Sequence, residues 1–129
     1  MTRPYLAQPF MPSVLEEGEY SLFFFGGEYS HTVLKTPASG DFRVQEEHGG
    51  LIRGVEPEPG QVEAAGRVLD AVEHDLLYAR VDLVRDAAAM ADERWRLMEI
   101  ELIEPSLYFP YAEGSAERFA RAAVRAAED

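Results

Sequence analysis

Met98-Glu99-Ile100-Glu101-Leu102 alternates apolar and acidic residues. In a β-strand that alternation sends Glu99 and Glu101 to one face and Met98, Ile100 and Leu102 to the other. The earlier stretch Leu77 to Val84 carries Arg80 and Asp82 at the same spacing, so they also share a face, opposite Val81 and Leu83. If the two strands pair, four ionised groups converge. Three carboxylates a few ångströms apart repel one another unless a cation neutralises them, and hard oxygen donors select Mg²⁺ or Mn²⁺ over zinc or copper. The pattern predicts a divalent-cation site of Asp82, Glu99 and Glu101; it also fits the solvated face of a half-exposed strand.

Asp41, Arg43, Gln45, Glu46, Glu47 and His48 form a second polar group, ending in Gly49-Gly50, where backbone can approach a ligand closely. A solvated loop is the plainer reading of the same residues. His31 and His74 stand apart from other candidates, which fits surface or core roles better than catalysis.

The elements that must position these groups follow from periodicity and turn chemistry. Tyr5 to Phe10 is mostly apolar, with Pro9 and Pro12 suited to a strand end, so one short strand is expected there. Glu19 to Phe25 and Tyr29 to Lys35, rich in aromatic and β-branched residues, flank Gly26-Gly27 and predict a tight hairpin. Thr36 to Gly50 is polar and turn-rich, a long loop of the kind that carries function. Beyond the Glu56-Pro57-Glu58-Pro59-Gly60 turn, Val62, Ala65, Leu69 and Val72 recur at helical spacing. Leu77 to Val84 and Trp95 to Ile103 read as an antiparallel strand pair joined by the exposed Asp86 to Glu93 connection. Ser115 is placed to cap a final helix with Phe119, Ala123 and Ala126 on its packed face and Glu117, Arg118, Arg121 and Arg125 in water.

Composition sets the outer limits. A chain of 129 residues that is 47% hydrophobic and 28% charged is expected to fold as one domain, spanning 1–129. Twelve Lys and Arg against 24 Asp and Glu give a net charge of −12, which repels phosphate backbones and anionic membranes, so neither nucleic acid nor membrane is an expected partner. The longest apolar run, Leu22 to Phe25, is too short to span a bilayer, and Met1 to Pro4 leads into no signal-peptide core, so a cytoplasmic location is expected. With no Cys, thiol nucleophiles, disulfides and Cys-ligated zinc are excluded. The sole lysine, Lys35, follows Val33-Leu34 and lacks the glycine frame of a phosphate-cradling P-loop.

In order, AQPFMPSVLEEGEYSLFFFGGEYSHTVLK, GDFRVQEEHGG, ARVDLV and LMEIELIEPSL resemble the C-terminal half of ATP-grasp ligases, closest to bacterial glutathione synthetase, from Tyr5 to about Phe109. The resemblance implies an α+β fold, an ATP-grasp-like C-terminal subdomain with a mainly antiparallel sheet and two or three packing helices. It implies a nucleotide held between two subdomains, with Mg²⁺ bridging ATP phosphates to acidic residues that match Asp82, Glu99 and Glu101. The family's usual Asn of the metal pair is replaced by Glu101, an oxygen ligand with an extra negative charge. By the same resemblance Gln8 and Phe10 border the adenine, Glu19 matches a cofactor-binding acidic position, and Ser21 stands where glutathione synthetase has a basic residue. Arg43 matches the arginine of the substrate loop and Arg80 a charge-stabilising arginine at the reacting centre, the two catalytic candidates.

The implied chemistry is γ-phosphoryl transfer from ATP to a small-molecule carboxylate, followed by attack of an amine on the acyl phosphate. Ring closure and intermolecular ligation share every one of these motifs. The family's N-terminal substrate domain and first nucleotide-binding subdomain have no counterpart in this sequence, which fits a fragment, a subunit completed by a second copy or a complementing chain, or a stand-alone domain that has lost turnover. Two rivals stand beside this reading. One is a two-metal phosphodiesterase, disfavoured by the charge of −12. The other is a non-catalytic module whose exposed sheet face serves as a dimer interface.

Overall fold

The computed structural model describes residues 3–38 and 51–128. In chain order these form helix α1 (Ser13–Glu16), strands β1 (Glu19–Phe25), β2 (Glu28–Thr36) and β3 (Leu51–Val55), helix α2 (Gln61–Asp70), strands β4 (Tyr78–Arg85) and β5 (Trp95–Glu101), a 3₁₀ turn (Phe109–Tyr111) and helix α3 (Ser115–Glu128). The architecture is α+β. The strands make one sheet in the order β3-β2-β1-β4-β5, with every neighbouring pair antiparallel.

β1 is central and buried along its whole length, which is why seven residues in a row, four of them aromatic, are tolerated there. It turns into β2 through Gly26 and Gly27, at φ +57° and +79°, the paired positive dihedrals of a two-residue hairpin. One sheet face packs Tyr20, Leu22, Phe24, Leu34, Val81 and Leu83 against Ala64 and Ala65 of α2. On the other face, Phe23, Phe25 and Val33 pack under Ala122 of α3, with Phe109 and Phe119 beside them. Alternation then decides what remains. Glu19 and Ser21 lie on the same face as Phe23 and Phe25 but beyond the reach of α3, so half of this face is apolar and the other half ionic.

The hairpin, the α2 helix, the β4–β5 pair and the final helix occur where the periodicity places them. The expected strand over Tyr5 to Phe10 does not form: the segment is irregular, with Tyr5, Leu6 and Phe10 exposed, and Pro9 has no N–H to donate to a ladder. β3 and the short α1 form without a periodic signal of their own in the sequence. Ser115 does not act as a capping acceptor: its buried hydroxyl donates backwards to the carbonyls of Ala112 (2.7 Å) and Phe109 (3.3 Å). The packed face of α3 is centred on Phe119 and Ala122, Ala126 is exposed, and Arg118 is drawn in to donate to Ser30 Oγ at 2.9 Å. β5 ends at Glu101, and Ile103 is exposed. Among the described residues no helix is long and apolar enough to cross a membrane.

Candidate functional site

The ionic half-face is a ladder of charge laid across four strands. Glu19 on β1 lies directly opposite Lys35 on β2, Ser21 opposite Asp82 on β4, and Asp82 and Arg80 opposite Glu99 and Glu101 on β5. The face-sharing read from alternation therefore holds for Arg80, Asp82, Glu99 and Glu101. It fails for Met98. The β4–β5 register shifts between Asp82 and Leu83, so that Leu83 pairs with Leu97 and Met98 is the unpaired residue of a bulge. Because the irregularity lies beyond Glu99, the two acidic residues keep their common side.

The distances form a continuous chain of ion pairs. Lys35 Nζ lies 2.6 Å from Glu19 and 3.2 Å from Asp82 Oδ2. Arg80 Nη2 lies 2.8 Å from Asp82 Oδ2 and 2.7 Å from Glu101, and its Nε donates to Asp82 Oδ1 at 3.0 Å. Glu99 stands 3.6 Å from the same Arg80 Nη2. Glu19, Lys35, Arg80 and Asp82 are buried and Asp82 is wholly inaccessible, whereas the Glu99 and Glu101 side chains are 56% and 30% exposed. Four carboxylates face two cations, so the excess negative charge collects at the open β5 end.

Burial and charge pull these groups in opposite directions. Burial opposes ionisation of Asp82, but the charges of Lys35 and Arg80 outweigh it and hold the carboxyl below the ordinary aspartate range. Burial likewise opposes the Lys35 charge, and Asp82 and Glu19 more than offset it, so the ammonium is held above its usual value. For Glu19 burial wins: opposed by Lys35 and reinforced by the negative charge of Asp82, it lifts the carboxyl above its usual range. Gly18 enables this geometry, since at φ +107° it brings the entry of β1 against the Lys35 carbonyl, where a Cβ would collide.

The other predicted residues separate from this ladder to different degrees. Gln8 is exposed and reaches Met98 Sδ at 3.8 Å, while Phe10 is exposed on the irregular N-terminal segment. Glu19 presents no open carboxylate, being locked to Lys35. Arg43 and its neighbours Asp41 to His48 lie outside the described residues. Lys35, dismissed above as a P-loop lysine, was missed as a member of the site. His31 is a core residue, its ring stacked on Phe23 with centroids 4.3 Å apart.

The cation that three clustered carboxylates require is supplied by the chain: Arg80 stands among them. Glu99 and Glu101, hard oxygen donors side by side on the open end of the ladder, fit a divalent ion. Asp82 does not join them, since its oxygens are taken by Arg80 and Lys35. Among the described residues no three His, Cys, Asp or Glu side chains are placed to hold a metal ion together.

The backbone is similar to that of D-cycloserine synthetase DcsG, with a TM-score of 0.75 and 32% identity over 92% of this chain and 41% of that one. It is also similar to the D-alanine–D-alanine ligase of Bacillus anthracis in complex with ATP (TM-score 0.54, 15% identity, 84% of this chain and 38% of that one). A third similar structure is the ATP-grasp ligase PsnB with a phosphomimetic variant of a minimal precursor, Mg and ADP (TM-score 0.53, 16% identity, 88% of this chain and 33% of that one). The chain has the ATP-grasp ligase fold. In sequence it is 35% identical over 125 residues to the cycloserine biosynthesis protein DcsG of Streptomyces lavendulae, covering 91% of this chain. It spans 40% of the length of that relative. No family model matches the chain. Within this ATP-grasp sheet the charge ladder occupies the half-face that α3 leaves uncovered.

Proposed function

We propose that the chain is the Mg-ATP-binding C-terminal part of a carboxylate–amine ligase that works through an acyl phosphate. The observation that carries this reading is the similarity to DcsG over nearly all of this chain, combined with an ionic half-face open at its β5 end. The share of the relative that is matched, 40%, supports a partial enzyme completed by another domain or chain. The resemblance to glutathione synthetase implies small carboxylate and amine substrates, and the similarity to a D-cycloserine synthetase fits a small-molecule substrate.

In this reading Glu99 and Glu101 would hold the cation, which when bound would supply charge neutralisation at phosphate oxygens. Arg80 stabilises negative charge at the reacting centre with its fork of N–H donors, and Arg43 holds the substrate carboxylate from its loop. Gln8 and Phe10 flank the adenine. Glu19 acts from behind the site through Lys35, which together with Arg80 keeps the wholly buried Asp82 ionised.

Isothermal calorimetry with Mg²⁺ and a non-hydrolysable ATP analogue tests this reading, on the parent chain and on Glu101→Ala and Glu99→Gln. Mg²⁺-dependent binding that is lost in both variants is expected. Parent binding that both substitutions leave unchanged would overturn it.

The exposed Tyr5, Leu6, Phe10, Leu97 and Ile103 favour a second reading, an ATP-grasp-derived module that docks on a partner through these apolar side chains. Light scattering separates the two: a stable dimer that binds no nucleotide supports the module.

A further inference from the structure

We infer that Arg80 is a resident counter-ion which a divalent cation must displace, so that cation binding and release of the Arg80 guanidinium are one coupled event. This rests on the reading above that Glu99 and Glu101 hold the cation.

A single atom carries the argument. Arg80 Nη2 is 2.8 Å from Asp82 Oδ2, 2.7 Å from Glu101 Oε1 and 3.6 Å from Glu99 Oε2, the place where three carboxylates meet. A metal ion held by Glu99 and Glu101 would take oxygens that now pair with Arg80, and its charge would repel the guanidinium beside it. The Arg80 side chain is 7% exposed, so water screens little of that repulsion. Glu99 and Glu101 are accessible and can exchange one cation for the other.

The rest of the ladder makes the exchange feasible. If Arg80 withdraws, Asp82 keeps a cationic partner in Lys35 at 3.2 Å and is not left as an unpaired buried charge, the situation that would otherwise oppose the movement. Lys35 is itself anchored by Glu19 at 2.6 Å and stays in place. The freed guanidinium then offers its donors to an anion arriving with the cation, a phosphate or a carboxylate. Such coupling is reciprocal: the anion tightens cation binding by the factor by which the cation tightens anion binding.

The test uses Mn²⁺ as probe, with free ion followed by electron paramagnetic resonance, on the full chain and on Arg80→Gln, Arg80→Lys and Glu101→Gln. Without nucleotide, Arg80→Gln is expected to bind Mn²⁺ about tenfold more tightly than the parent, the scale of one charge-assisted hydrogen bond lost by the competitor. Glu101→Gln is expected to bind more weakly than the parent, and Arg80→Lys no more tightly. Addition of a non-hydrolysable ATP analogue is expected to remove or reverse the advantage of Arg80→Gln. Equal or weaker Mn²⁺ binding by a folded Arg80→Gln overturns the inference. The unaltered chain gives a second test, since saturating Mg²⁺ must move the ¹⁵N resonance of Arg80 Nε, and an unmoved resonance overturns it too. If the parent binds the metal–nucleotide complex through Glu101 but Arg80→Gln is not tighter, the exchange alone fails. If no chain binds Mn²⁺ even with nucleotide, the Mg-ATP reading falls with it.

Discussion

Lys35 and Glu19 face each other across the β1–β2 pair with Nζ and carboxylate 2.6 Å apart, and an irregularity in the hairpin puts them there. Counting back from the turn, Phe25 pairs with Glu28 and Phe24 with Tyr29, a register that would set Glu19 against Leu34 on the apolar face. The shift between Phe23 and Phe24 leaves Ser30 without a partner, advances the pairing by one residue and turns Lys35 toward the charge ladder.

Removing the ammonium should therefore expose the cost of the ladder. Lys35→Met leaves Glu19 and Asp82 short of a buried counter-ion and is expected to destabilise the fold by about 3 kcal/mol in urea unfolding. Glu19→Gln in the same background should return part of that loss. Strict additivity of the two substitutions would show that the pair is not coupled.

Gly54 on β3 lies against the backbone of the 3₁₀ turn, and a Cβ there would fall on the Tyr111 carbonyl. Gly54→Ala must push the turn away from the sheet edge, and a loss of about 2 kcal/mol is expected. Gly66→Ala, where a Cβ meets nothing within 4 Å, should be neutral or stabilising in the same denaturation assay.

His31 makes the stability depend on pH with a definite sign. Its Nε2 lies 3.0 Å from the Leu107 carbonyl, which only accepts, so Nε2 carries the proton and Nδ1 accepts from Ser30 Oγ at 2.8 Å. Burial lowers the imidazole from 6.5 to about 4, so the folded chain keeps it neutral where the unfolded chain takes up a proton. Its contribution is complete above 6.5 and is lost as pH falls toward 4. Unfolding free energies at pH 7 and pH 4.5 should differ more for the parent than for His31→Gln. The raised Glu19 carboxyl acts with the opposite sign and cancels in that comparison. Equal pH dependence in the two proteins would contradict the assignment.

What the sequence disclosed follows the range of its interactions. Gly26-Gly27, the α2 periodicity and the alternation in β4 and β5 are local signals, and each placed its element. The same alternation put Arg80, Asp82, Glu99 and Glu101 on one face because no bulge intervenes between those pairs. Lys35 stayed hidden because its facing depends on one extra residue, Ser30, which no local pattern marks. The strand expected at Tyr5 to Phe10 does not form, since apolar content alone does not make a ladder and Pro9 offers no donor to one. Clustered carboxylates do demand a cation, as alternation implied, but which cation holds them depends on the reach of Arg80, a property of side-chain geometry.

The central claim is that the ionic half-face receives the metal of a metal–nucleotide complex. Backbone amide spectra of the ¹⁵N-labelled chain, recorded with and without Mg²⁺ and a non-hydrolysable ATP analogue, test it most directly. The account predicts the largest changes at Lys35, Arg80, Asp82, Glu99 and Glu101, with little change at Gly66, Leu69 and His74, which line a separate cavity of about 770 Å³ between α2 and α3. Changes centred on that cavity, or an unchanged spectrum at saturating ligand, would contradict it.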